Sequence, residues 1–383
     1  MENTKKVIKN KMINVTKSYL PPIEEYTNRI REIWDSHWLT NNGKFAKELE
    51  SKLKEYLQVP YFHFVSNGTI ALQLAIHALD LYDCDIITSP FSYVATTSSI
   101  LWEKCNPIFV DIDPKTFNID CKKIEEKITP HTKAIMAVHV FGNPCDVIEI
   151  EKIAKKHNLK VIYDGAHSFG VKYLGESLLS YGDISTCSFH ATKVFHTVEG
   201  GCCICKDKDI DKKLNLLKKF GYENDDYELA GINAKNSEFH AAMGLAVFDH
   251  LDEMIEKRKF NSEIYDSYLK DKVTFQKKVD NIIYNYIYYP IVLESENIVL
   301  KVINALKEND IMARRYFYPS LNELPYLKDK VSCPIAEDIS KRIICLPLDT
   351  YLTKNDIEKI CDIILQTMER ESWKKSKNHQ HLW

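Results

Sequence analysis

Between residues 61 and 205, short apolar runs rich in β-branched residues alternate with stretches of helical period, and no other feature narrows the fold as much. The runs fall at 61–65, 86–89, 107–110, 133–140, 159–163, 183–187 and 202–205, with helices predicted over 70–79, 95–102, near 120–128, and over 147–157. Strands with little polar alternation are buried on both faces, which calls for a mostly parallel sheet covered by helices on each side. Two polar-faced helices are expected between about 20 and 58, parted by Ser36-His37-Trp38-Leu39-Thr40-Asn41-Asn42-Gly43. After 208 a helix to 220 and a long helical stretch over 237–260 follow. Beyond lies a compact α+β unit with strands near 282–292, 312–318 and 342–346 and helices near 296–308 and 353–370. The fold class is therefore α/β, a large domain over 1–250 with an N-terminal helical segment and a smaller C-terminal α+β domain over 251–383, whose end from 371 is expected to fray.

In such sheets ligands gather at the carboxyl ends of the strands. Ser66-Asn67-Gly68-Thr69 joins a strand to a helix there, and the free N–H groups of a first helical turn make an anion cradle. Ser-Asn at that place also serves as an ordinary N-cap. Tyr93 follows the next strand, and Asp164-Gly165-Ala166-His167 closes another. Then comes Ser188-Phe189-His190-Ala191-Thr192-Lys193-Val194-Phe195-His196-Thr197-Val198-Glu199-Gly200-Gly201, which sets Lys193 between two core strands. Burying an ammonium is costly and lowers its pKa, which makes the amine a nucleophile toward an aldehyde. Singly, Lys193 could be an exposed loop lysine, Asp164 a helix cap, Tyr93 a packed aromatic and His167 a core histidine. Together they are what pyridoxal phosphate asks for: an amine, a carboxylate for the pyridine nitrogen, a phosphate seat and a stacking ring. No Gly-x-Gly-x-x-Gly or Walker A pattern supports a nicotinamide or nucleoside triphosphate.

Composition bounds the partners. With 27% charged residues and a net charge of −3, the chain offers no nucleic-acid platform and no polybasic membrane surface. No apolar run reaches the roughly 18 residues of a membrane span, and Met1-Glu2-Asn3-Thr4-Lys5-Lys6 opens no secretory leader. The 11 cysteines are odd in number, and Cys202-Cys203-Ile204-Cys205 lacks zinc spacing. Cys145 stands alone beside Pro144, so no metal is expected. Reduced core cysteines point to the cytoplasm.

The Lys193 stretch, with Asp164-Gly165-Ala166-His167, Ser66-Asn67-Gly68-Thr69-Ile70-Ala71-Leu72 and Gly231-Ile232-Asn233-Ala234-Lys235, resembles the DegT/DnrJ/StrS nucleotide-sugar aminotransferases over roughly residues 20 to 370. The resemblance implies a fold-type I pyridoxal-phosphate enzyme with Lys193 as the amine that holds the cofactor and shuttles the proton. It implies Asp164 on the pyridine nitrogen, His167 near the ring hydroxyl, Tyr93 stacked on the ring, and Gly68, Thr69 and Ser188 at the phosphate. Asn233 would reach the phosphate of the neighbouring subunit, making a homodimer with shared active sites. Gly165 stands where Ala is more usual.

The implied reaction takes the amino group of glutamate, leaving 2-oxoglutarate, and places it on a nucleotide-linked keto-deoxysugar. Ser-Phe-His-Ala-Thr-Lys-Val-Phe is most similar to enzymes that turn dTDP-4-keto-6-deoxyglucose into dTDP-4-amino-4,6-dideoxyglucose for surface polysaccharide such as O-antigen. Relatives aminate the 3-position or use UDP- or GDP-sugars. Sister dehydratases carry His in place of the lysine, and non-catalytic cofactor-binding sensors usually carry a DNA-binding module; neither fits Lys193 and this layout. Arg314, Arg315, Tyr316 and Tyr318 are candidates for the substrate or glutamate-carboxylate site, or else a solvated basic pair beside packed aromatics. Trp38, Thr40 and Asn41 are candidates for the rim of the site.

Overall fold

The structure, a computed structural model, describes residues 12–380, with side chains through residue 371. The opening six residues, read above for a leader, lie outside them. Two helices come first, α1 (Ile23–Ser36) and α2 (Lys44–Leu57). The sheet strands are β1 (Tyr61–Val65), β2 (Asp85–Thr88), β3 (Asn106–Phe109), β4 (Thr132–Val138), β5 (Lys160–Asp164), β6 (Ile184–Ser188) and β7 (Gly201–Cys205). Helices α3 (Gly68–Ala78), α4 (Ala95–Trp102), α5 (Val147–His157) and α6 (Lys208–Leu217) intervene or follow. Their spatial order is β1-β7-β6-β5-β4-β2-β3. From β3 to β6 every pairing is parallel, and only β7 runs against its two neighbours.

Both faces are apolar, as the unalternating runs require. Ala134 and Met136 of β4 pack in the cluster that holds α3, whereas Ile135 and Ala137 pack with Val147, Ile150 and Ile153 of α5. Reversal of β7 sets Gly201 opposite both Val65 and Ser188, so the ends of β1 and β6 meet across one residue. A side chain there would lie 2.6 Å from the Asn67 carbonyl carbon and 2.8 Å from the Cys187 oxygen. Only glycine permits that approach.

Past the sheet, α7 (Glu238–Phe248) and α8 (Leu251–Leu269) replace the single long helix expected over 237–260. Near 120–128 two short 3-10 turns stand instead of a helix. The C-terminal unit holds β8 (Tyr289–Val292), α9 (Glu296–Lys307), α10 (Pro334–Arg342), β9 (Ile343–Leu346) and α11 (Lys354–Gln380). Residues 312–318, expected as a strand, contribute only an isolated bridge from Arg314 to Cys345 before the chain turns toward the sheet. Pro319 ends any further pairing, since it has no N–H to give. Helix α11 runs past 370; the side chains of the end expected to fray lie mostly outside the described residues. No helix among the described residues is long and apolar enough to cross a membrane, and none of their His, Cys, Asp and Glu side chains cluster as a metal site.

Candidate active site

A cavity of about 250 Å³ opens over the carboxyl ends of β1, β5 and β6. At its floor, β1 turns through Ser66 and Asn67 into α3. The Asn67 side chain accepts the Ile70 N–H at 2.8 Å, which leaves the N–H groups of Gly68 and Thr69 for an anion at the helix end they line. A Cβ on Gly68 would sit 2.9 Å from that of Ser188, so glycine lets the end of β6 close the cradle.

Asp164 ends β5 and is 5% exposed. Thr96 Oγ1 donates to its Oδ2 at 2.7 Å and the Ala166 N–H to its Oδ1 at 3.1 Å. Ser92 Oγ, 2.7 Å from Thr96 Oγ1, extends the chain of hydroxyls. Burial raises the Asp164 pKa, and the two hydrogen bonds and the Lys193 charge pull it back. A buried carboxylate of this kind suits a cationic N–H donor in the cavity. His167 accepts the Phe141 N–H on Nδ1 at 3.2 Å, which leaves the ring proton on Nε2. Its ring stacks on Phe317 at 5.9 Å and meets Tyr288 edge-on at 5.1 Å. Burial holds its pKa well below the usual histidine range, so it is a neutral donor.

The loop between β6 and β7 is fixed by its aromatics. Phe195 stacks on Phe169 at 4.5 Å and Phe189 meets Phe195 edge-on at 5.0 Å. The Lys193 N–H donates to the His190 carbonyl at 2.9 Å, and Phe189 and Gly200 close the loop at 2.8 Å. With Phe189, Val194 and Phe195 spent on the core, the Lys193 side chain is left for the cavity, its Nζ 6.0 Å from the Tyr288 ring centre. Burial brings its pKa down to about 8, with the Asp164 carboxylate opposing the fall.

Gly68, Thr69, Tyr93, Asp164, His167, Ser188, Lys193, Arg314 and Tyr316 thus share one cavity wall. Tyr318 lines a neighbouring cavity instead. Thr40 and Asn41 lie exposed between α1 and α2, and Trp38 borders a separate hollow with Glu238. Asn233 is also outside its own chain's cavity, exposed, its side chain accepting from Lys235 Nζ at 2.9 Å. Thr96, Tyr288, Glu199 and Phe317 also line the wall or hold it, and none of them is a candidate from the sequence. Ser92 and Thr96, four apart beside Tyr93, were the one local sign among these. Tyr288 and Phe317 arrive from the C-terminal unit and carry no such sign.

The profile of the DegT/DnrJ/EryC1/StrS aminotransferase family matches residues 22–365. Over 362 residues the chain is 43% identical to the dTDP-4-amino-4,6-dideoxy-D-glucose transaminase of Shigella dysenteriae, covering 92% of this chain and 98% of that one. DesI, solved in the presence of its TDP-sugar product, superposes with a TM-score of 0.89 at 29% identity, covering 96% of both chains. Spr1654 of Streptococcus pneumoniae in its PMP form superposes with a TM-score of 0.86 at 25% identity, covering 92% of this chain and 99% of that one.

Proposed function

Because the chain belongs to the DegT/DnrJ/EryC1/StrS aminotransferase family, we propose that this pyridoxal-phosphate-dependent nucleotide-sugar aminotransferase passes the amino group of glutamate to dTDP-4-keto-6-deoxyglucose. Its product would be dTDP-4-amino-4,6-dideoxyglucose, destined for a surface polysaccharide such as O-antigen. The sugar rests on the Shigella relative's name and on an identity that runs through nearly both whole chains. The chemistry rests on one observation: Lys193 and Asp164 face one cavity floored by a helix N-terminus.

The wall fits the cofactor. Gly68 and Thr69 N–H groups and the Ser188 hydroxyl suit its phosphate, Asp164 its ring nitrogen and Tyr93 a ring face. Pyridoxal phosphate, when bound, supplies an aldehyde that carries the amino group and a ring that draws electrons from the carbon losing its proton. The protein supplies the rest. Asp164, pinned by Thr96 and Ala166, holds a proton on the ring nitrogen. Neutral His167 directs its Nε2–H without adding charge. Lys193 Nζ, with a pKa of about 8, takes a proton from the donor's α-carbon and returns one to the acceptor near neutral pH.

We place the enzyme in the cytoplasm as a homodimer; eleven free thiols support a reducing compartment. Exposed Asn233, close in sequence to exposed Ile232 and outside its own cavity, supports a contribution to the site of the partner subunit. The test is the visible spectrum of the cofactor-loaded protein with glutamate, followed by product analysis with dTDP-4-keto-6-deoxyglucose. Bleaching by glutamate and recovery with the 4-amino sugar as product is the expected result. Recovery only with a 3-keto or GDP-linked sugar would overturn the substrate, and a spectrum indifferent to glutamate the donor.

A further inference from the structure

A second cavity, of about 140 Å³, lies beside the first and shares a wall with it. Arg314, with Tyr93 and Tyr316, faces both, whereas Arg315, Tyr318, Leu321 and Leu324 belong to the second alone. The two arginines differ in what they already hold. Arg315 donates to Glu296 at 2.7 Å and to the Lys341 carbonyl at 3.1 Å, and its guanidinium lies 3.4 Å from the Tyr318 ring centre. It is committed to the scaffold. Arg314 rests on the Tyr316 ring at 4.5 Å and has no carboxylate partner among the described residues. Its backbone is clamped on both sides to β9, donating to the Cys345 carbonyl at 3.1 Å and accepting the Cys345 N–H at 2.8 Å. A stacked guanidinium on a fixed backbone is a pre-organised fork for a carboxylate or a phosphate.

The reaction sets two anions in one cavity in turn, an amino acid in the first half and a nucleoside diphosphate sugar in the second. We propose that Arg314 is the anchor for both, binding a glutamate carboxylate and then the diphosphate, with the nucleoside directed into the second cavity. This rests on the donor and acceptor proposed above. The second cavity's aromatic and leucine lining suits a flat base, and Arg314 lines both this cavity and the one that holds Lys193. One anchor used twice makes the two substrates mutually exclusive.

Arg314→Gln and Arg314→Lys test it in cofactor-loaded protein, by half-reaction kinetics read from the visible band. In Arg314→Gln the concentration for half saturation is expected to rise about tenfold or more for both glutamate and the sugar nucleotide, with limiting rates changed far less. Arg314→Lys should fall between, since it keeps the charge and loses the fork. In the wild type, dTDP should compete with glutamate. Weakening of one substrate alone, or of neither, would overturn the shared anchor, as would dTDP that leaves glutamate saturation unmoved. A wild type inert to glutamate would count against the donor and not against Arg314. Calorimetry with dTDP then decides, and equal affinity in wild type and Arg314→Gln overturns the proposal.

Discussion

At Lys193 burial disfavours the ammonium and the Asp164 carboxylate favours it, and the balance leaves the amine near 8. The neutral form is the nucleophile, so the apoenzyme should capture pyridoxal phosphate faster as pH rises through about 8 and level off above it. Asp164→Asn removes the charge that holds the proton on, and the midpoint should move to lower pH. Stopped-flow absorbance of apoenzyme mixed with cofactor checks both; a midpoint moved upward would mean that Asp164 does not act on Lys193 through its charge. Thr96 tests the next link. Its hydroxyl donates to Asp164 at 2.7 Å, so Thr96→Val leaves one carboxylate oxygen without that donor. Turnover should fall about tenfold, and the unsatisfied buried oxygen should cost about 1–3 kcal/mol, read as a lower melting temperature. At this scale the sequence disclosed the residues that chemistry makes unusual. A lysine between core strands and an aspartate at a strand end are expensive to bury and stand out. Thr96 and Tyr288 are inexpensive residues anywhere, and only the folded chain gives them a role.

Among the elements, the site depends on two joins: β1 into α3, and β6 to β7 through the lysine loop. Gly68 keeps the helix start against Ser188. Gly68→Ala should force that pair apart and lower cofactor affinity by about tenfold, read by equilibrium titration, with the sheet intact. Gly201→Ala meets backbone at 2.6 and 2.8 Å, which cannot yield as a side chain can. It should lower the melting temperature by several degrees, at about 1–3 kcal/mol of overpacking. Apolar runs disclosed the seven sheet strands because both faces of the sheet are covered and hydrophobicity is nearly their whole signal. Helix α10 was not foreseen, and its cap explains part of that. The Ile335 and Ala336 N–H groups donate at 3.0 Å to Asp111, far away in sequence, and Pro334 at the first helical position is the local sign that the sequence does carry. The break between α7 and α8 falls at Asp249 and His250, where neither glycine nor proline marks it.

For the molecule as a whole, the division expected near residue 250 takes no account of what the N-terminal strap does. Ile13 bridges Ile311 in parallel and the Val15 carbonyl accepts the Leu348 N–H at 3.1 Å, so the strap lies on the far unit. Such a contact leaves no trace in local pattern. The same limit applies to assembly. The Ala234 carbonyl accepts the Ser66 N–H at 2.9 Å and the Ala234 N–H donates to Lys218 at 3.1 Å, while Lys218 Nζ holds Glu50 at 2.9 Å. The stretch bearing Asn233 is therefore fixed behind the cradle of its own chain, yet the Asn233 side chain faces solvent. A rigid mount for an outward side chain makes sense if a second copy brings its cradle to that side chain. Lys193→Ala and Asn233→Ala subunits should then each be impaired alone, while a hybrid dimer carries one site with both an intact lysine and an intact partner asparagine. Co-expressed with different tags and purified by both, the hybrid should recover about half the wild-type activity per dimer. Two-fold symmetry leaves no other way for two crippled subunits to build a working site, so a hybrid no more active than its parents would mean that each site draws on one chain alone.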